Sequence, residues 1–140
     1  MLWKIKIQRR IFKRKKTWKW KKYYNNLLIY EGEYLEGKRH GKGEEYYNNS
    51  LIYEGEYLEG KRHGKGKEYY NNLLIYEGEY LEGKRHGNGK EYYDNNRLKF
   101  EGEYLNGERN GKGKEYYSDG KLYFEGEYLN GEQFKYKNLN

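Results

Sequence analysis

One six-residue string governs what this chain can become. Tyr/Phe-Glu-Gly-Glu-Tyr-Leu begins at Tyr30, Tyr53, Tyr76, Phe100 and Phe124, so successive copies start 23, 23, 24 and 24 residues apart. Self-similarity at such a period marks a stacked array, in which each unit buries its face only against its neighbours. The first four copies continue with G-x-x-x-G-x-G and a Tyr-Tyr pair, as in Gly60-Lys61-Arg62-His63-Gly64-Lys65-Gly66 followed by Tyr69-Tyr70. The fifth copy has Lys135 and Lys137 in the later glycine slots, and Trp18 and Trp20 fill those slots ahead of Tyr23-Tyr24. Both end units therefore read as degenerate caps, which an open array requires.

Glycine at two-residue spacing within Tyr-rich alternation opposes a helix and suits a half-buried strand. In Tyr53-Glu54-Gly55-Glu56-Tyr57 one face reads Tyr, Gly, Tyr and the other Glu, Glu. Folding the chain back about Gly60-Lys61, with a Gly-first type II′ turn, sets Tyr57 against Gly64 and Gly55 against Gly66. The same register predicts three charge pairs: Glu56 with Lys65, Glu54 with Lys67, and Glu59 with Arg62. Unit four repeats two of them, Glu101 with Lys114 and Glu103 with Lys112, whereas Glu44 stands in unit one where lysine is expected. A three-residue return loop at Asn71-Asn72-Leu73 sets Lys67 against Glu77 and Lys65 against Glu79. This preserves the faces, as a ladder must. The longer units then carry their extra residue in the loops Asp94-Asn95-Asn96-Arg97 and Ser118-Asp119-Gly120-Lys121. The fold class expected is all-β: an elongated, twisted, single-layer antiparallel meander of tandem β-hairpins.

Composition sharpens the problem this sheet must solve. The chain has no Cys, Pro, Ala or Val, and its 14 Leu, 6 Ile and 4 Phe make up 24 of 140 residues, or 17%. That lies below the roughly 20% under which a charged chain is usually disordered, yet 20 Tyr and 19 Gly sit in phase, and disordered chains are poor in aromatics. A thick two-layer core is excluded for want of aliphatic side chains. Disulfides and Cys-ligated zinc are excluded as well. What is expected is a sheet with tyrosine rings over glycine gaps on one face and Glu/Lys rows on the other. Its aromatic face would be open unless it curls, dimerises or docks a partner.

The pattern resembles the MORN (membrane occupation and recognition nexus) repeat, Y-x-G-x-(W/Y)-x-x-G-x-x-x-G-x-G on a period near 23. Tyr53, Gly55, Tyr57, Gly60, Gly64 and Gly66 match it position by position, as do their equivalents in units one, three and four. The Gly120–Gly131 stretch also resembles the MORN-variant repeats of bacterial antitoxin-like proteins. The resemblance implies an elongated β-sheet used for protein contacts or membrane attachment. It carries no enzyme name to this chain, which shows no appended catalytic domain.

Charge divides the chain at residue 22. Residues 1–22 hold eleven Lys and Arg and no acid, giving +11; the remaining 118 hold 18 basic and 22 acidic side chains, giving −4, and the two sum to +7. Residues 1–22 read as a basic N-terminal arm or a worn first repeat, with residues 23–140 as the array. Trp3-Lys4-Ile5-Lys6-Ile7 alternates like an edge strand, where lysines deter aggregation. Arg9, Arg10, Lys13, Arg14, Lys15 and Lys16 are the candidate residues for an anionic surface. Lipid headgroups attract each Lys or Arg by about 1 kcal/mol; nucleic-acid phosphates would be neutralised by the same charges.

Candidate chemistry is otherwise sparse. His40, His63 and His86 recur with the units, but equivalent positions lie two strands, about 9–10 Å, apart. Nitrogens sharing one zinc at about 2.0–2.1 Å bond lengths must be closer than that. Gly37–Gly43 lacks the spacing and following helix of a phosphate loop. Glu31/Glu33 repeats on an exposed face among lysines, without a nucleophile. No catalytic residue, cofactor or metal is expected. The function expected is a non-enzymatic scaffold for an unidentified protein partner. Tyr30, Tyr34, Tyr53, Tyr57, Tyr76, Tyr80, Phe100 and Tyr104 supply the contact face, and the basic arm supplies membrane attachment. Two alternatives stand beside it, a toxin-neutralising MORN-variant protein and nucleic-acid binding through the arm. A homodimer through paired aromatic faces is left open. With no long apolar run or secretory signal, the expected location is cytoplasmic, or peripheral at a membrane.

Overall fold

A computed structural model describes residues 7–11 and 18–134. Among the described residues, twelve strands form one antiparallel sheet in strict chain order. They are β1 (Ile7–Ile11), β2 (Trp18–Tyr24), β3 (Leu27–Leu35), β4 (Lys38–Tyr47), β5 (Ser50–Leu58), β6 (Lys61–Tyr70), β7 (Leu73–Leu81), β8 (Lys84–Tyr92), β9 (Leu98–Leu105), β10 (Glu108–Tyr116), β11 (Leu122–Leu129) and β12 (Glu132–Phe134). No helix occurs among the described residues. The expected meander is therefore the fold, one hairpin per repeat. The division at residue 22 falls inside β2, and β1 begins where the alternating Trp3–Ile7 stretch ends.

The turns differ from expectation. The hairpin β5–β6 closes on Glu59-Gly60, with Leu58 paired to Lys61. Both turn residues have positive φ, 51° and 85°, which makes the turn type I′ rather than a II′ turn at Gly60-Lys61. Tyr57 then faces Arg62, not Gly64. Asn106-Gly107 and Asn130-Gly131 occupy the same place in later units, and Asn-Gly between alternating runs is the strongest short-range hairpin signal. On the opposite edge Asn71-Asn72 is again a two-residue positive-φ turn. A one-residue bulge at Ile75 replaces the expected third loop residue. The predicted extra residues of the longer units do lie in the loops: Tyr93 N–H donates to the Arg97 carbonyl at 2.9 Å, and Tyr117 N–H to Lys121 at 2.8 Å.

Glycine at position 64 exists for the bulge. Gly64 and Lys65 face no residue of β5, yet pair with Tyr80 and Glu79 of β7. This two-residue bulge brings the register back to the expected pairs Gly55–Gly66 and Glu54–Lys67. The pairs Lys67–Glu77 and Lys65–Glu79 with the next hairpin also hold. Gly64 has φ +60°, and an added Cβ would collide with the Glu56 carboxylate. That carboxylate accepts the Lys65 amide hydrogen bond at 3.2 Å. Glu56 thus meets the backbone of Lys65, not its ammonium as predicted, and Glu103 meets the Lys112 amide in the same way.

The core is a single file of rings. Tyr30, Tyr53, Tyr76 and Phe100 are fully buried, with Tyr57, Tyr80, Tyr104 and Tyr128 at 3–4% exposure. Each ring meets the next edge to face. Tyr30, Tyr57, Tyr53, Tyr80, Tyr76, Tyr104, Phe100 and Tyr128 run in that order with centroids 5.2–5.7 Å apart. Contacts of this kind contribute about 0.5–1.5 kcal/mol each beyond area burial. Glycine floors the file: a Cβ on Gly66 would stand 2.7 Å from Cε2 and Cζ of Tyr53. Arginine roofs it, with the guanidinium of Arg62 4.0 Å above the Tyr53 ring and those of Arg39, Arg85 and Arg109 at 4.0–4.2 Å over Tyr30, Tyr76 and Phe100. A one-layer sheet can bury a core this way without aliphatic mass.

Candidate interaction surface

The eight side chains expected to meet a partner are placed on one face, as predicted, but seven of them are buried within the array. Tyr34, the eighth, is half-buried against Tyr30 and Trp20, at 5.3 and 5.8 Å between ring centroids. In this structure the chain's own arginines lie over four of these rings. Sequence reasoning missed the roof because the arginine belongs to the return strand, and the glutamate holding it belongs to the preceding unit. Glu45 accepts Tyr57 Oη at 2.5 Å and Arg62 Nε at 3.0 Å. Glu68 takes Tyr80 at 2.5 Å and Arg85 through both its oxygens, at 3.0 and 2.8 Å. Glu91 takes Tyr104 and Arg109 likewise. Arg62 was expected to pair with Glu59, which instead holds Lys38 at 2.7 Å.

These staples set the protonation of their members. Burial pushes the Glu45, Glu68 and Glu91 carboxyls upward. The arginine and tyrosine hydrogen bonds, with the arginine charge, outweigh it and leave all three below the usual carboxylate range. Tyr57, Tyr80 and Tyr104 move the other way, pushed up by burial and by the carboxylate each donates to. In β2, Lys22 pairs with Tyr30 as Glu45 pairs with Tyr53, so the first interface lacks its carboxylate. Trp20, paired with Gly32 in a glycine slot, supplies the ring a preceding unit would have given. At the far end Gln133 stands where the other units have arginine and donates to Glu115 at 2.7 Å. Both end units are caps in this sense.

The opposite face carries a trough of about 1370 Å³ that runs across the strands from Lys19 to Glu127. A bare line of glycines crosses its floor, Gly32, Gly43, Gly55, Gly66, Gly78, Gly89, Gly102, Gly113 and Gly126 paired in succession. On one side lies the ladder Glu54, Lys67, Glu77, Lys90, Glu101, Lys114, Glu125, alternating in sign. Glu31, Glu44 and Glu54 interrupt the alternation where lysine is missing. Tyr69 and Tyr116 donate into this ladder, to Glu54 at 2.5 Å and Glu101 at 2.7 Å. Tyr46 donates to Glu44, and Tyr92 to Glu77. Burial and then the carboxylate push the Tyr69 phenol up to about 12. On the other side of the glycines lie Lys42, Lys65, Asn88 and Lys112, the second residues of the bulges, with Lys19 in the equivalent slot.

The histidines are dispersed. His63 pairs with Glu56 and His86 with Glu79, and no group of three or more metal-ligating side chains occurs among the described residues. Of the candidate anionic-surface residues, Arg9 and Arg10 lie in β1, opposite Trp20 and Lys19. Lys13, Arg14, Lys15 and Lys16 lie outside the described residues.

Comparison with curated proteins returns no match. The MORN repeat profile matches at residues 30–51, 53–73, 76–96 and 100–121, four consecutive spans that coincide with the hairpin units of the sheet. With more than half of its residues inside those spans, the chain belongs to the MORN repeat family.

Proposed function

We propose that this chain is a non-catalytic interaction scaffold and that the charged trough, not the aromatic file, is its contact face. MORN repeats are commonly protein- or membrane-interaction modules, which supports an interaction role. The observation that carries the choice of face is the closure of the rings under Arg39, Arg62, Arg85 and Arg109. The trough exceeds the roughly 300–1,000 Å³ of a small-ligand pocket, runs the length of the array and is lined by charge. A segment of another protein fits that shape better than a metabolite does. The glutamates of the trough are committed to bulge amides, lysines and tyrosines, which supports a recognition role over acid–base chemistry. Lys65→Glu combined with Lys112→Glu should abolish co-purification of the partner while circular dichroism stays unchanged. Tyr47→Ser with Tyr70→Ser, on the exposed Asn-Asn edge, should leave it intact. Retention of the partner by the lysine variant would refute the assignment.

A second observation supports attachment to an anionic membrane at the N-terminal end. The register sets Arg10 directly against Lys19. Residues 1–22 hold eleven Lys and Arg and no acid, and Lys19 meets its first carboxylate only at Glu33 of β3. Liposomes containing anionic lipid should bind the full chain and release it with salt. Equal binding by a variant with Arg9 and Arg10 both changed to Gln would remove the hairpin's role.

A further inference from the structure

Tyrosine and tryptophan are the side chains that give up one electron most readily, and in this array they touch in an unbroken line. From Trp20 through Tyr34 to Tyr30, and along the file to Tyr104, successive ring centroids stand 5.3–5.8 Å apart. Electron tunnelling falls off exponentially with distance, so rings in contact exchange an electron readily. Phe100 ends the run, because a phenyl ring resists oxidation, and Tyr128 lies beyond it. A positive charge left on a buried phenol is strongly disfavoured, so its proton must leave with the electron. Tyr57, Tyr80 and Tyr104 each have a base for it, donating at 2.5 Å to Glu45, Glu68 and Glu91. Those carboxyls lie below the usual carboxylate range and are ionised at neutral pH. The rings between are of another kind. Tyr53 and Tyr76 reach only backbone carbonyls, at 3.4 Å, and lie 4.0 Å from the guanidinium carbons of Arg62 and Arg85, whose charge disfavours a hole resting there.

We propose that the array conducts oxidising equivalents: a hole delivered at its tryptophan end by a one-electron oxidant travels to Tyr104, resting on Tyr57, Tyr80 and Tyr104 and passing briefly through Tyr53 and Tyr76. All three tryptophans lie within residues 1–22, which places the entry at one end. With the azidyl radical as oxidant, the radical takes one electron from Trp20 and becomes azide. Trp20 Nε1 is buried with no hydrogen-bond partner among the described residues, so its proton stays and the indole radical cation remains strongly oxidising. Tyr57, reached through Tyr34 and Tyr30, returns an electron to the indole and gives its Oη proton to Glu45. The products are a neutral indole, a neutral phenoxyl radical and a carboxylic acid. In the next hop Tyr53 gives an electron to Tyr57 and takes one from Tyr80. Glu45 returns its proton to the Tyr57 oxygen, and Tyr80 passes its own to Glu68. The same exchange through Tyr76 moves the hole to Tyr104 and its proton to Glu91. Each hop is one electron carried between rings and one short proton shift at each end.

The test uses the full chain, azidyl radicals generated by pulse radiolysis, and ortho-aminotyrosine as an easily oxidised trap placed at position 104 or at position 128. Both positions are 4% exposed, so direct attack from solvent is equal at the two, and only position 104 lies before the phenyl ring of Phe100. The trap radical at 104 should form in a first-order step independent of protein concentration, at least about tenfold faster than the one at 128. Tyr53→Phe should slow the signal at 104 by about tenfold, and Phe100→Tyr should raise the signal at 128 to the level of 104. Both changes exchange residues that already alternate in one slot of the repeat, so the fold is kept, and circular dichroism checks it. In the chain with no trap, conversion of indolyl to tyrosyl radical should slow by about tenfold in Glu45→Gln, which removes the first base. Equal radical formation at 104 and 128, or a Tyr53→Phe chain as fast as its parent, would overturn the conduit. A silent trap at 104 beside long-lived indolyl radicals would overturn it as well, and an unchanged rate in Glu45→Gln would sink the carboxylate relay.

Discussion

Gly66→Ala tests how a single layer can have a core. The added Cβ would stand 2.7 Å from two ring carbons of Tyr53 and closer still to its Oη, and Tyr53 is fully buried. Arg62 lies 4.0 Å above the ring, so the ring cannot lift without breaking the roof. Overpacking of this kind costs about 1–3 kcal/mol, and full ejection of a buried aromatic ring sets an upper limit of about 3–5 kcal/mol. The unfolded chain is stiffened by alanine, which returns about 0.4–1 kcal/mol. The net expected loss is about 0.5–2.5 kcal/mol, a fall in midpoint temperature of roughly 2–10 °C for a chain of this size. Circular dichroism melts of Gly66→Ala, Tyr53→Ala and the double variant measure it. Tyr53→Ala vacates the space, so the Gly66→Ala penalty should largely vanish in the double variant, giving a coupling above about 0.5 kcal/mol. A Gly66→Ala cost under about 0.5 kcal/mol, or strictly additive effects, would refute the ring-over-glycine core.

Glu68→Gln should destabilise by about 1.5–3 kcal/mol, because it weakens charge-assisted hydrogen bonds to Tyr80 and Arg85 that join two units; urea unfolding measures the loss. Lys22→Glu should do the reverse by about 0.5–2 kcal/mol, since it installs the missing carboxylate beside Tyr34 and Arg39 at the first interface; a lower melting temperature would contradict this. Acid should unfold the array through the staples. The Glu45, Glu68 and Glu91 carboxyls lie below their unfolded values near 4.3, so the unfolded chain binds more protons. Their stabilisation is complete above about pH 5 and is lost as pH falls through the depressed folded values. Denaturant midpoints across acid pH, compared with the Glu68→Gln variant, isolate that contribution. In alkali the sign reverses. Tyr69, Tyr92 and Tyr116, raised from about 10 to about 12, stabilise fully below pH 10 and cease to do so as pH rises through 12; tyrosinate absorbance follows the transition.

Much of the site was legible because period-two alternation assigns faces without knowledge of turns. Tyr53 and Gly66 share a side whether the chain reverses at Glu59-Gly60 or at Gly60-Lys61, since the bulge at Gly64-Lys65 restores the register. The turn itself was misplaced because the G-x-x-x-G-x-G run offers several glycines, and only tertiary pairing tells the turn glycine from the bulge glycine. The Arg roof was illegible for another reason. Arg62 stacks within its own unit on Tyr53 but is held by Glu45, seventeen residues earlier, a contact that skips over a strand. No local pattern announces such a reach.

By itself the sequence determined the number of units, the direction of the meander and the two chemically distinct faces, because repeat length and side-chain alternation act strand by strand. Tertiary structure alone decided which face stays accessible. The guanidinium roof closes the aromatic side, and on the other side the bulge amides hold the Glu56 and Glu79 carboxylates, which sequence alone would have given to lysines. Both outcomes arise from contacts between neighbouring hairpins, where geometry rather than composition chooses the partner.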